Sequence, residues 1–196
     1  MIKQVEEILR KYPEVYRHSC SVRDLATNFA YFLGYSHKEV MKIRLGAYIH
    51  DIGKSFIHKE ILLKQGKLTK EEYEEVKTHS EVGFTFLKDH NFVLDQDLLA
   101  IVLQHHERVD GTGYPFALRG DQIHPYAKLI SLCDVYDAIT STRSYKVAYS
   151  SNYAFYAIEE GMGTQFDKGM AEQFLSFMKN NNDLSNRFRL KKAHSM

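Results

Sequence analysis

Apolar residues along this chain recur every three or four positions, and two-residue alternation is rare, so the pattern predicts an all-α bundle. Val5, Ile8 and Leu9 mark a short first helix that stops before Pro13. Over residues 14–34, Val15, Val22, Leu25, Ala26, Phe29 and Leu33 keep helical spacing, and Gly34 supplies a C-terminal stop. Ser36 and Glu39 form a capping box that opens a helix through Val40, Ile43, Leu45, Ala47 and Ile49 into His50. Residues 58–63 read as a turn or short helix broken by Gly66. Thr69 with Glu72 is a second capping box, and it starts one long helix that carries His79 in its middle and runs to about His90. Further helices are expected over residues 95–106, 126–140, 152–160 and 168–179. There is no internal repeat, linker or low-complexity block. Residues 1–181 read as one domain, and the basic stretch 182–196 as a frayed tail.

Composition narrows the partners. A chain of 196 residues is long enough for one domain with a sizeable core. The formal net charge of +1 gives no reason to expect a nucleic-acid polymer as partner. Two cysteines, Cys20 and Cys133, argue against a disulfide framework and fit a reducing compartment. No apolar run approaches a membrane span, and the first residues lack the apolar core of a signal peptide. The expectation is a cytoplasmic protein without a membrane partner, and a homodimer is left open.

The ten histidines stand out, because several fall beside acids. Residues 105–115 read HHERVDGTGYP: two adjacent histidines at a helix end, then a loop with two glycines and a proline. Successive helical positions point about 100° apart, so both histidines cannot bury against one core face. Both can converge on an ion held between helices, since neutral imidazole is the commonest metal ligand. Glu14 and His18, four apart, share a helix face, as do Asp134 and Asp137, three apart in an apolar helix. His50-Asp51 ends another helix, and His79 lies in a further one. Singly, each has a structural alternative: a satisfied or exposed histidine, an aspartate paired with arginine or capping a turn. Together they supply ligands for two or three divalent ions. A His and carboxylate set without cysteine suits iron, manganese, nickel or zinc, with iron or manganese favoured.

The order His50-Asp51, His79, His105-His106, Asp134 resembles the HD superfamily of metal-dependent phosphohydrolases. The segments HDIGK (50–54), HHERVDGTGYP (105–115) and DVYDAITSTRSYK (134–146) resemble the HD-GYP subfamily in particular. The resemblance runs over residues 14–174. It implies an HD-domain helical bundle with a metal site between helices that hydrolyses a cyclic dinucleotide, chiefly cyclic di-GMP, by a hydroxide bridging two ions. On that reading Glu14, His50, Asp51 and Asp134 hold one ion, and Asp51, His79, His105 and His106 the second. His18 with Glu14, and with Asp137 as a further candidate, holds a third; otherwise His18 is an alternative ligand of the first ion, leaving two.

Asp51 and Lys54 are the expected catalytic residues, Lys54 binding a phosphate oxygen or protonating the leaving oxygen. Arg143 and Lys146 are expected to meet the second phosphate, Tyr114 to stack on or bond a guanine, and Asp110 to contact substrate or, with Arg108, to brace the loop. The chain departs from the subfamily's usual pattern at His58, Thr142 and Ser144, none of them a ligand, which bears on substrate fit. Two other classes stay open. One is an HD-type phosphohydrolase of another nucleotide, and the other is a non-catalytic cyclic-dinucleotide sensor.

Overall fold

The computed structural model describes residues 2–90, 95–142 and 147–193, with side chains placed for 3–90, 95–142 and 147–180. Among these the backbone forms helices and no strand. In order they are α1 (Ile2–Arg10), α2 (Pro13–Phe32), α3 (His37–Ile49), a 3-10 helix (Ile52–Phe56), α4 (Lys59–Leu62) and α5 (Lys70–Lys77). Then come α6 (His79–Asp89), α7 (Gln96–Gln104), a second 3-10 helix (Gly120–Gln122), α8 (Pro125–Thr140), α9 (Ser151–Glu160) and α10 (Lys168–Ala193). The backbone of α10 runs on across residue 181, where the sequence places the end of the domain.

Both capping boxes form. Glu39 accepts from the Ser36 amide at 2.8 Å and Glu72 from the Thr69 amide at 2.6 Å, while each cap hydroxyl accepts from its glutamate's own amide. The long helix expected from the second box does not hold. It divides at Thr78 into α5 and α6, so His79 opens a helix instead of sitting in the middle of one. The cause is local competition for carbonyls: the Thr78 hydroxyl and amide both turn back to Glu75, and His79 Nδ1 donates to Val76 at 2.7 Å. His105 and His106 likewise fall in the turn just past α7 rather than inside it.

Two buried clusters hold the bundle. Val22, Phe29, Ile43, Ile101, Leu129 and Phe174 belong to one, joining α2, α3, α7, α8 and α10. Val5, Leu9, Ile49, Ile52, Leu87 and Val102 belong to the other, joining α1, α3, the first 3-10 helix, α6 and α7. The first 3-10 helix lies tight against α6. A Cβ on Gly53 would stand 1.8 Å from the His79 carbonyl oxygen and 2.8 Å from the Gly83 amide nitrogen. Only glycine allows that approach, which draws the His50-Asp51 turn against the start of α6.

Candidate metal centre

Three helix ends and two helix faces deliver the polar side chains to one buried place. His18 comes from α2, His50-Asp51 from the turn after α3, His79 from the head of α6, His105-His106 from the turn after α7, and Asp134 and Asp137 from α8. His50, His79 and His105 are fully buried, and His18, Asp51, Asp134 and Asp137 nearly so. So many polar groups in a helical core are costly unless something satisfies them.

Their ligand atoms fall into two groups: Asp51, His79, His105 and His106 in one, His18, His50 and Asp134 in the other, each gathered within 4.8 Å. Asp51 stands between the groups. Its Oδ1 lies 3.3 Å from His79 Nε2 and 3.7 Å from His105 Nε2, while its Oδ2 lies 3.4 Å from His50 Nε2 and 3.6 Å from His18 Nε2.

The hydrogen bonds fix what these atoms can do. His50 Nδ1 donates to the Ala47 carbonyl at 2.6 Å, His79 Nδ1 to Val76 at 2.7 Å, and His105 Nδ1 to Val102 at 3.0 Å. A carbonyl only accepts, so in each neutral ring the proton is on Nδ1 and Nε2 presents a lone pair. Burial pushes His79 down to about 3, with help from Lys54. Burial also lowers His105, and it lowers His106 far below the ordinary histidine value, so these rings are neutral. Burial alone would raise the two carboxyls. Lys54 nevertheless holds Asp51 well below the usual range, and His18 does the same for Asp134.

Lone pairs therefore face lone pairs. His79 Nε2 and His105 Nε2 are 3.3 Å apart with no proton between them, and the 3.3 Å contact of His79 with Asp51 is not an ion pair. His50 Nε2 and Asp51 Oδ1 are buried without a hydrogen-bond partner. Imidazole lone pairs that converge on a carboxylate oxygen left without a donor suit a divalent cation, and backbone carbonyls that fix each ring's tautomer are the usual outer support of such ligands. The donor set fits the metals expected from the sequence.

Two of the expected ligands stand outside these groups. Glu14 belongs to neither group; it is half-buried and lines the cavities on either side of His18. His18 takes its place with His50 and Asp134, because α2 turns its Nε2 to Asp134 Oδ1 at 2.8 Å. Asp137 is outside both groups and meets His18 Nδ1 at 2.5 Å, with the Ser141 hydroxyl donating to its other oxygen at 2.8 Å. These two acids outweigh burial and raise the His18 pKa. Beyond lies a cavity of about 190 Å³ whose lining includes Glu14, Arg17, His18 and Asp137.

Around the centre, Lys54 Nζ pairs with Asp51 Oδ2 at 2.6 Å. Tyr114 lies stacked on His106, centroids 4.8 Å apart, so one ring face is already covered. Burial raises its hydroxyl pKa. Asp110 braces the loop: its Oδ1 accepts from the Thr112 amide at 2.9 Å and hydroxyl at 2.6 Å, and Arg108 Nε donates to the same hydroxyl. Arg143 and Lys146 lie outside the described residues.

Sequence reasoning missed Glu107, whose buried carboxylate accepts the amides of Phe116 at 2.7 Å and Leu118 at 2.9 Å and so anchors the loop carrying Tyr114. Its signal in the sequence is an acid directly after the two adjacent histidines.

A cavity of about 410 Å³ opens beside His18, Asp51 and Lys54. No described helix is long and apolar enough to cross a membrane.

Comparison with known proteins places this geometry. A cyclic di-GMP phosphodiesterase of Thermotoga maritima is 37% identical over 174 residues, 89% of this chain and 47% of that one. A cyclic di-GMP phosphodiesterase of Pseudomonas aeruginosa is 39% identical over 160 residues, 82% of this chain and 38% of that one. The chain thus spans less than half the length of these curated relatives. Among solved structures, an HDG"Y"P protein from Bdellovibrio bacteriovorus shares the fold, with a TM-score of 0.69 and 24% identity over 84% of this chain and 52% of that one. The HD domain family model matches residues 3–170, which take in both ligand groups from His18 to Asp134, and the chain belongs to the HD domain family.

Proposed function

We propose that this chain is a metal-dependent phosphodiesterase that hydrolyses a cyclic dinucleotide, cyclic di-GMP first among them. The observation that carries the reading is the Asp51 carboxylate, one oxygen turned to each of two histidine groups. Two divalent ions held there, iron or manganese for preference, would neutralise phosphate charge and make water a nucleophile at neutral pH. Asp51, His79, His105 and His106 hold one, and Asp51, His18, His50 and Asp134 the other. The protein's own groups do the rest. Backbone carbonyls keep three rings in the ligating tautomer, and Asp137, backed by Ser141, orients His18. Lys54, beside Asp51 on the cavity, binds a non-bridging phosphate oxygen or gives its proton to the leaving oxygen. Arg143 and Lys146 are assigned to the second phosphate, and Tyr114, stacked on His106, to hydrogen-bonding a guanine through its hydroxyl.

The names of the relatives support the substrate class, and the complete ligand set speaks against a sensor that has lost turnover. A third ion would need the smaller cavity near Glu14, His18 and Asp137, but Arg17 also lines it, which favours two. The test is turnover of cyclic di-GMP by Mn(II)- or Fe(II)-loaded protein, followed by chromatography of products. A linear or mononucleotide product that disappears on chelation is expected. A fully metal-loaded chain that leaves cyclic di-GMP and other cyclic dinucleotides intact contradicts the proposal.

A further inference from the structure

The cavity of about 410 Å³ runs outward from His18, Asp51 and Lys54 between two walls. One is the corner between α1 and α2, with Tyr12 and Val15. The other is α4, the segment leading into α5 and α5 itself, with Ile61, Leu62, Leu63, Leu68 and Val76. These last five aliphatic side chains belong to neither buried core, and Leu63 is 44% exposed. Aliphatic groups gathered round a concavity but left out of the core gain from an apolar ligand that covers them.

The second wall is tied in place without a ligand. Lys64 pairs with Glu72 at 2.6 Å, Glu72 accepts the Thr69 amide at 2.6 Å, and His58 meets Glu75 at 2.7 Å. Its volume lies in the range of roughly 300–1,000 Å³ typical of small-molecule sites. Cationic Lys11 and Lys59 also line it, and Lys54 stands at the metal end.

An apolar slot that opens from a metal pair and carries lysines divides as a nucleotide does, into a flat base and an anionic phosphate. We propose that this slot is a nucleobase subsite, with Tyr12, Leu62 and Leu68 as its shelf, and that it accepts guanine and adenine alike. The proposal rests on reading the metal pair as the phosphodiester site. Guanine is told from adenine by the donors and acceptors on its ring edge. Among the described lining residues there is no Asn, Gln, Ser or Thr; the Tyr12 hydroxyl can donate or accept and so serves either base, and the two carboxylates, Glu14 and Asp51, accompany His18 at the metal end. A pocket that grips by apolar contact separates close analogues by only about 10²-fold, against roughly 10⁴-fold or more for one that hydrogen-bonds the edge.

The experiment is calorimetric titration of the Mn(II)-loaded full chain with 5′-GMP, 5′-AMP and ribose 5-phosphate. The two nucleotides should bind within about tenfold of one another, and each roughly tenfold or more tighter than the base-less sugar phosphate. Leu68→Ser and Tyr12→Ala, both outside the buried cores, should each shrink that advantage to about threefold or less. Nucleotides that bind no tighter than ribose 5-phosphate overturn the subsite, as does an advantage that survives both variants. A preference for GMP over AMP beyond about 10²-fold overturns the purine tolerance. If the chain cleaves no cyclic dinucleotide yet shows the base-dependent binding, the phosphodiesterase reading falls and the subsite stands.

Discussion

Gly53→Ala sets two ordinary effects against each other. Gly53 is not at positive φ, so alanine suits its backbone. On unfolded-state entropy alone the substitution should then stabilise by about 0.4–1 kcal/mol. Packing decides otherwise. The added Cβ would sit 1.8 Å from the His79 carbonyl oxygen and 2.7 Å from the His79 carbonyl carbon. Ordinary contact is about 3.5 Å, so the first 3-10 helix must move off α6 by roughly 1.5 Å. The neighbour is backbone and cannot rotate away, which puts the cost near the upper end of the ~1–3 kcal/mol of overpacking. A net loss of about 2 kcal/mol lowers the melting temperature of a chain this size by roughly 4–8 °C. The same movement draws Asp51 Oδ1 away from His79 Nε2, now 3.3 Å distant, so metal affinity should fall with stability. Thermal unfolding followed by circular dichroism, with and without chelator, reads the first effect, and elemental analysis the second. Gly83→Ala is the internal control, since its Cβ meets Gly53 N at a milder 3.1 Å and a helix gains from alanine. A Gly53→Ala chain as stable as the parent and fully loaded with metal refutes the reasoning.

Two further outcomes are expected. Glu75 holds His58 by a side-chain hydrogen bond that raises its pKa above the ordinary value of 6.5. A raised histidine contributes its stability below the unfolded value and loses it as pH rises through the folded one, so this clasp should loosen as pH rises beyond the ordinary histidine value. Proton NMR of His58 should show a raised midpoint that Glu75→Gln returns to normal, and an unshifted midpoint in the parent contradicts the pair. Arg143→Ala should weaken cyclic di-GMP binding by roughly 1.5–3 kcal/mol, the loss of one charge-assisted contact, and leave metal content alone. Unchanged affinity removes Arg143 from the site.

Much of the fold is legible because capping and periodicity are local. Ser36/Glu39 and Thr69/Glu72 announce their helix starts by residue type alone, and both form. The break at Thr78 is not legible, since the residues around it keep helical spacing while a hydroxyl and an imidazole take the carbonyls that would carry the helix on. Six of the expected ligands, His50, Asp51, His79, His105, His106 and Asp134, announce themselves by chemistry and order, and the structure gathers them into the two groups. Partition between ions is a three-dimensional matter. Glu14 and His18 share a face, but only the approach of α8 decides that His18 meets Asp134. Gly53 and Glu107 escaped notice for the same reason. A glycine's need for space and an acid's burial depend on partners 26 and 9 residues away.

The central claim is that one carboxylate serves two ions. It is tested most directly by counting metal per chain, by elemental analysis of purified, metal-replete protein, in the parent and in Asp51→Ala. Two equivalents in the parent and none or nearly none in the variant, with circular dichroism unchanged, is the predicted result. An Asp51→Ala chain that keeps both equivalents, or a parent that binds none, contradicts it.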